Sequence, residues 1–206
     1  YSAYGYHGTA VLMAGSFTWQ SYTPYLQGFA KMRLEDHARD ARAKGIAATV
    51  YNCPEILTNS SALFLGVELS LYPLLTAVVQ AAPTASQKLK ERVANLLAAP
   101  HTVDAMLQTV EAYLNDPLTN PLDFNTWPQH SKATQMELML ATSNQLMAMH
   151  QDQKQLVCAE LSRLVFRTTG RLMVQHSYQG TEAAVWLNHD IIATLIADPA
   201  GTDLLD

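Results

Sequence analysis

Between Ser131 and Gly170 the chain runs for 38 residues without a proline or a glycine. A continuous helix of that length is a rod of about 57 Å at 1.5 Å per residue. Few compact folds hold such a rod, so the feature constrains everything else. Its apolar positions follow helical spacing: Met136, Met139 and Leu140, Leu146 and Met147, Val157, Leu161, Leu164 and Val165. Ser143, His150 and Gln153 or Lys154 interrupt this line midway. A long helix with polar residues in its seam usually packs in a bundle or coiled coil, where such residues fix the register. The expected fold is therefore all-α, a helical bundle organised around one long helix at about 131–169.

The remaining segments divide around that rod. Residues 1–22 hold Tyr1, Tyr4, Tyr6, Phe17, Trp19 and Tyr22 with no helical or alternating period, and read as an irregular N-terminal arm. Residues 23–115 form a helical subdomain. It opens with Thr23-Pro24 and a first helix stopped at Gly45, the order of an N-cap, an N1 proline and a C′ glycine. Residues 46–59 read as a connection. The stretch 62–82 has Glu68 as its only charge and is long enough to cross a bilayer, so membrane contact is one reading. Glu68, Ser70, Pro73 and Gln80 favour a buried helix, kinked or split at Tyr72. Two short helices, Ser86 to Ala98 and Thr102 to Asn115, pair as a hairpin turning at 99–101. Residues 116–130 are a proline- and asparagine-rich loop. The final unit, 131–206, joins the long helix to a C-terminal helix capped by Thr181 and an acidic tail; residues 171–180 continue the helix or form a short strand.

Charge narrows the partners. The chain carries −5, from 13 basic and 18 acidic residues. No Lys or Arg follows Arg171, and five acidic residues do, so residues 1–171 are neutral (13 − 13). Nucleic-acid binders usually carry a basic surplus, so no direct nucleic-acid binding is expected. Cys53 and Cys158 are either one disulfide or two buried thiols. Residue 1 is Tyr, which hints at processing and export to the periplasm.

Catalytic templates are absent. None of the eight Glu is followed three residues later by His, and no two His stand three or four apart, so neither a di-iron nor a zinc pattern is presented by a helix. There is no GxxxxGK[ST], GxGxxG or GxSxG. No catalytic, metal or cofactor residue is therefore assigned, and an enzyme is not the favoured reading. Cys158 reads as a packed thiol rather than a nucleophile. The residues singled out for interaction are Trp19 and Tyr22 in the arm and Arg163, Arg167 and Arg171. These arginines fall at four-residue intervals on one helical face; a helix C-terminus favours cations there, and an acidic partner is the functional alternative.

Trp127, Ala133, Leu138 to Leu140, Asn144-Gln145-Leu146 and the run Gln151, Gln153, Gln155 to Leu156 resemble the C-terminal helical region of IcmX-type proteins of type IVB secretion and conjugation systems. The minor pilins of type IVA conjugation systems resemble it too. The resemblance implies a non-enzymatic, periplasmic component of a secretion or conjugation channel, acting as a homo-oligomer with other subunits of the apparatus. Two other classes stay open: a small-molecule or lipid-binding helical bundle, and an enzyme whose site is assembled from dispersed residues, with His150 or His176 beside a carboxylate.

Overall fold

A computed structural model describes residues 1–5, 9–13, 16–20, 26–53, 66–118 and 133–198. Helix dominates, as the sequence implies. Seven α-helices are present among the described residues: α1 (Leu26–Ala43), α2 (Tyr72–Ala81), α3 (Gln87–Ala94), α4 (Val103–Asn115), α5 (Ala133–Ala148), α6 (Val157–Gln179) and α7 (Asn188–Ala197). Local signals set several boundaries. Gly45 has φ 80° just beyond α1, the left-handed conformation that lets a chain leave a helix. Pro73 lies in the first turn of α2, where its missing N–H costs nothing. Thr102 Oγ1 accepts the Ala105 N–H at 3.1 Å and caps α4.

The single long rod does not form. The segment 133–179 is two helices, broken at 149–156, and the second runs through Gly170 to Gln179. The break is tertiary in origin. The Ala98 N–H donates to the Met149 carbonyl (2.9 Å), and the Gln151 N–H to the Leu96 carbonyl (3.0 Å), so the chain pairs with 96–98 instead of continuing the helix. His150 joins the two pieces: Nδ1 donates to the Leu146 carbonyl (2.8 Å), and Nε2 accepts the Val157 N–H (3.0 Å). Burial holds this imidazole below its usual pKa, consistent with the neutral tautomer that both bonds require. Asp152 completes the turn by accepting the Lys154 N–H at 2.8 Å.

A small sheet accompanies the helices. Strands β1 (Ser2–Gly5), β4 (Thr49–Asn52) and β5 (Val185–Trp186) form a parallel sheet in the order β1-β4-β5. The register pairs Gly5 with Asn52 and Tyr51 with Trp186. Helix α1 makes the crossover between β1 and β4, packing Ala38, Leu34 and Ala41 on Ala3, Ala48 and Val50. Two further strands, β2 (Thr9–Met13) and β3 (Ser16–Gln20), pair antiparallel, so most of the expected irregular arm is strand.

The main core is helical. Leu74, Leu75, Val93, Met106, Leu146, Val157, Leu161 and Val165 meet there, each contributing roughly 1.5–3 kcal/mol from burial. The apolar stretch from Val67 onward supplies a 3-10 turn and α2 to this core, with Tyr72 buried. Among the described residues no helix is long and apolar enough to cross a membrane. A smaller cluster, Tyr51, Leu172, Ile191 and Leu195, fastens α6 and α7 to the sheet.

Candidate functional site

The two ends of the parallel sheet differ in chemistry. At the amino ends Arg42 acts as a staple. Its Nε donates to the Ala48 carbonyl (2.6 Å), and its Nη2 to Thr49 Oγ1 (2.8 Å) and the Thr181 carbonyl (2.5 Å). These three bonds tie α1 to the start of β4 and to the segment before β5. In parallel sheets ligands bind outside the carboxyl ends of the strands, and this end gathers buried polar groups.

Gly5 and Asn52 stand side by side there. A Cβ on Gly5 would lie 1.9 Å from Asn52 Oδ1 and 2.7 Å from Val50 Cγ1, so only glycine lets the Asn52 side chain occupy its place. Asn52 Nδ2 donates to Glu35 Oε1 at 2.7 Å, both residues being buried. Arg39 Nη2 donates to the other oxygen, Glu35 Oε2, at 3.2 Å. A buried carboxylate needs such partners, and together they fix the Asn52 carboxamide at the strand end. Cys53 follows, its Sγ 3.7 Å from Thr169 Oγ1 on α6. Burial pushes the Cys53 thiol up to about 11, which leaves it protonated.

Beyond β5, Asn188 begins α7. The residue is 1% exposed, and among the described residues neither Oδ1 nor Nδ2 has a hydrogen-bond partner. A buried polar group in that condition costs stability and calls for an explanation. The segments that leave β1 and β4 at this end, 6–8 and 54–65, lie outside the described residues.

A second cluster flanks the sheet. Tyr51 Oη and His176 Nδ1 share a hydrogen bond of 2.9 Å, and the His176 ring lies 5.0 Å from that of Trp186. Trp186 Nε1 in turn donates to Thr181 Oγ1 at 3.0 Å. Burial raises the Tyr51 phenol against the pull of Arg42, and burial lowers His176. His176 thus meets a phenol here, not the carboxylate that the sequence suggested.

Other candidates are structural. His150 bridges two helices. Cys158 is buried, and burial pushes its thiol up to about 11; Cys53 and Cys158 are separate thiols. Glu68 accepts from Ser143 Oγ and from the Gly66 N–H (2.7 Å) inside the helical core. Burial first, then Glu68, pushes the Tyr113 phenol up to about 12. One groove of about 250 Å³ lies between α2 and α4 and another of about 470 Å³ between residues 81–85 and α7; their titratable groups are the carboxylates Asp104, Glu111 and Asp190. Among the described residues no cluster of His, Cys, Asp or Glu could hold a metal ion.

Of the residues the sequence marked for interaction, Trp19 lies in β3 opposite Ala10, and Tyr22 is outside the described residues. Arg163, Arg167 and Arg171 lie together on α6. No sequence motif marks Gly5, Glu35, Asn52 or Asn188 as site residues. Of these only Asn52 had a local signal, the strand-forming run Thr49-Val50-Tyr51 before it.

The family model for enoyl-acyl carrier protein reductase FabMG matches residues 1–196. Among solved structures, the apo form of FabMG is 42% identical with a TM-score of 0.78, covering 95% of this chain and 45% of that one. The NADH-bound form of FabMG is 42% identical with a TM-score of 0.66, covering 94% of this chain and 48% of that one. No curated protein matches the chain. The chain spans less than half the length of these two solved structures. These matches overturn the IcmX-type and minor-pilin resemblance, and with it the type IV secretion or conjugation role and the apparatus subunits as partners. That resemblance also leaned on a helix that does not exist: Gln151, Gln153 and Gln155 lie in the break between α5 and α6. By the match to its family model and the 42% identity to solved members, the chain belongs to the FabMG family of enoyl-acyl carrier protein reductases.

Proposed function

We propose that the protein reduces the carbon–carbon double bond of an enoyl group carried as a thioester on acyl carrier protein, with NADH as reductant. The observation that carries this reading is the family match over residues 1–196, with 42% identity to a relative solved with NADH. The fold supports it: a parallel sheet with a crossover helix, with buried polar groups at the strands' carboxyl ends, is a usual frame for a dinucleotide. The reaction adds a hydride to the β carbon and a proton to the α carbon; NADH, when bound, supplies the hydride.

The described residues contribute positioning. Gly5, Asn52 and Glu35 hold the strand ends rigid. Asn188 is the described residue whose chemistry fits a bound group, because a carboxamide with no partner among the described residues offers an NH2 group to donate and a carbonyl oxygen to accept. No GxGxxG phosphate loop occurs in this sequence, so that motif is not what this chain would contribute to cofactor binding.

The test is the loss of NADH absorbance on adding an enoyl thioester. The reading requires one NADH consumed per saturated thioester formed. Purified, folded protein that consumes no NADH with carrier-bound or coenzyme A-bound enoyl groups would overturn it.

A further inference from the structure

Asn188 breaks the pattern of the helix it begins. The residues three, four, seven and eight places on, Ile191, Ile192, Leu195 and Ile196, are buried apolar side chains, and Asn188 extends their line along α7. Packing alone would favour an apolar residue there. The register places it. Tyr51 pairs with Trp186, and two residues further along the same two segments stand Cys53 and Asn188. A carboxamide with no partner among the described residues therefore lies at the carboxyl end of the sheet, next to the strand whose end Asn52 and Glu35 hold.

The parts of NADH differ in how well they complement that group. The pyrophosphate is an anion, and the first turn of α7 already carries Asp190, whose Oδ1 lies 3.3 Å from His189 Nε2. The negative charge that a helix N-terminus favours is thus supplied within the chain. A ribose hydroxyl is a single atom, whereas a carboxamide presents an NH2 donor beside a carbonyl acceptor. Two parts of the dinucleotide match that pair, the edge of the adenine and the carboxamide of the nicotinamide. Burial separates them. Asn188 is 1% exposed, and hydride transfer takes place where water is excluded, so the reacting ring is the end of NADH that enters such a place. The adenine takes no part in the reaction and carries no such requirement.

We propose that the Asn188 side chain binds the carboxamide of the nicotinamide ring, donor to acceptor and acceptor to donor. This rests on the function proposed above and names the part of the cofactor that the buried amide takes. It also explains the residue's position in an apolar line. A buried carboxamide costs stability until both its polar atoms are bonded, and the amide of the cofactor supplies both partners.

Equilibrium titration, followed by fluorescence or calorimetry, compares NADH with two analogues. One carries an acetyl group in place of the carboxamide and so lacks the NH2 donor; the other carries hypoxanthine in place of adenine. Measuring binding at equilibrium keeps the altered reactivity of the acetyl analogue out of the result. The wild type should bind the acetyl analogue about tenfold more weakly than NADH, and the hypoxanthine analogue within about twofold of it. Asn188→Leu and Asn188→Ala should bind NADH about tenfold more weakly and no longer distinguish it from the acetyl analogue. A wild type that binds all three alike would overturn the proposal whatever the variants do, and so would variants that discriminate as the wild type does. Discrimination against the hypoxanthine analogue that disappears in the variants would overturn it in favour of the adenine. Reduction of enoyl thioesters without Asn188-dependent discrimination would remove this assignment and keep the proposed function. Discrimination that depends on Asn188 in a protein that reduces no enoyl thioester would sink the proposed function and leave the assignment standing. No binding of NADH at all would overturn both.

Discussion

The helical core and the carboxyl end of the parallel sheet are both buried, but they treat polar groups differently. In the core each buried polar group described above closes on a protein partner: Ser143 on Glu68, and His150 on Leu146 and Val157. At the sheet end Asn52 and Glu35 are likewise paired, yet Asn188 is buried with neither carboxamide atom satisfied among the described residues. The difference separates a region built for stability from one that bears an unpaid desolvation cost, the usual mark of a functional site.

Substitutions can break or sharpen this contrast, and the largest effect is expected at Gly5. Gly5→Ala drives a methyl into Asn52 Oδ1 and should cost about 3 kcal/mol, read as a fall in the denaturant midpoint. An unchanged midpoint would show that Asn52 is not held where it is described. Next, His150→Leu removes both bonds across the α5–α6 break and should cost about 2 kcal/mol.

The same histidine gives a pH signature. Its folded pKa is lowered by burial, so below about pH 6.5 the unfolded chain binds the extra proton and the folded one resists it. Stability should fall as pH drops through that range and should fall less steeply in His150→Leu. Identical slopes in the two proteins would remove His150 as the cause.

Asn188→Leu is expected to run the other way. Replacing an unsatisfied buried amide by an apolar group of similar size should raise stability by about 1 kcal/mol while weakening NADH binding. A loss of stability would mean that the amide has a structural partner. The smallest effect belongs to Gly170→Ala, in the middle of α6 with open space around it. It should stabilise by about 0.5–1 kcal/mol, the opposite sign from the same change at Gly5.

The contrast also explains what could be read from the sequence. Helices announce themselves locally, and Thr102, Pro73 and Gly45 mark ends that the structure keeps. The strands do not. Ser2–Gly5 and Thr49–Asn52 are four residues each and Val185–Trp186 is two, too short for a period to emerge, and their pairing joins residues 47 apart (Ser2 with Thr49) and 135 apart (Val50 with Val185). The break at 149–156 escaped because neither proline nor glycine makes it; hydrogen bonds to residues 96–98 do. Ser143 and His150 are polar residues that interrupt an apolar line in the sequence. They mark a core hydrogen bond and a helix junction, not a coiled-coil register. The candidate site was less legible still. Glu35 reads as one charge among several on α1 until β4 brings Asn52 against it.

The central claim is that function resides at the carboxyl end of the sheet and not in the helical core. Hydrogen exchange on the protein with and without NADH tests it most directly. The account predicts slower exchange at Asn52, Cys53 and the first turn of α7, with amides of α4 and the buried turns of α6 around Leu161 unchanged. Protection confined to those helical amides, with the strand ends unaffected, would contradict it.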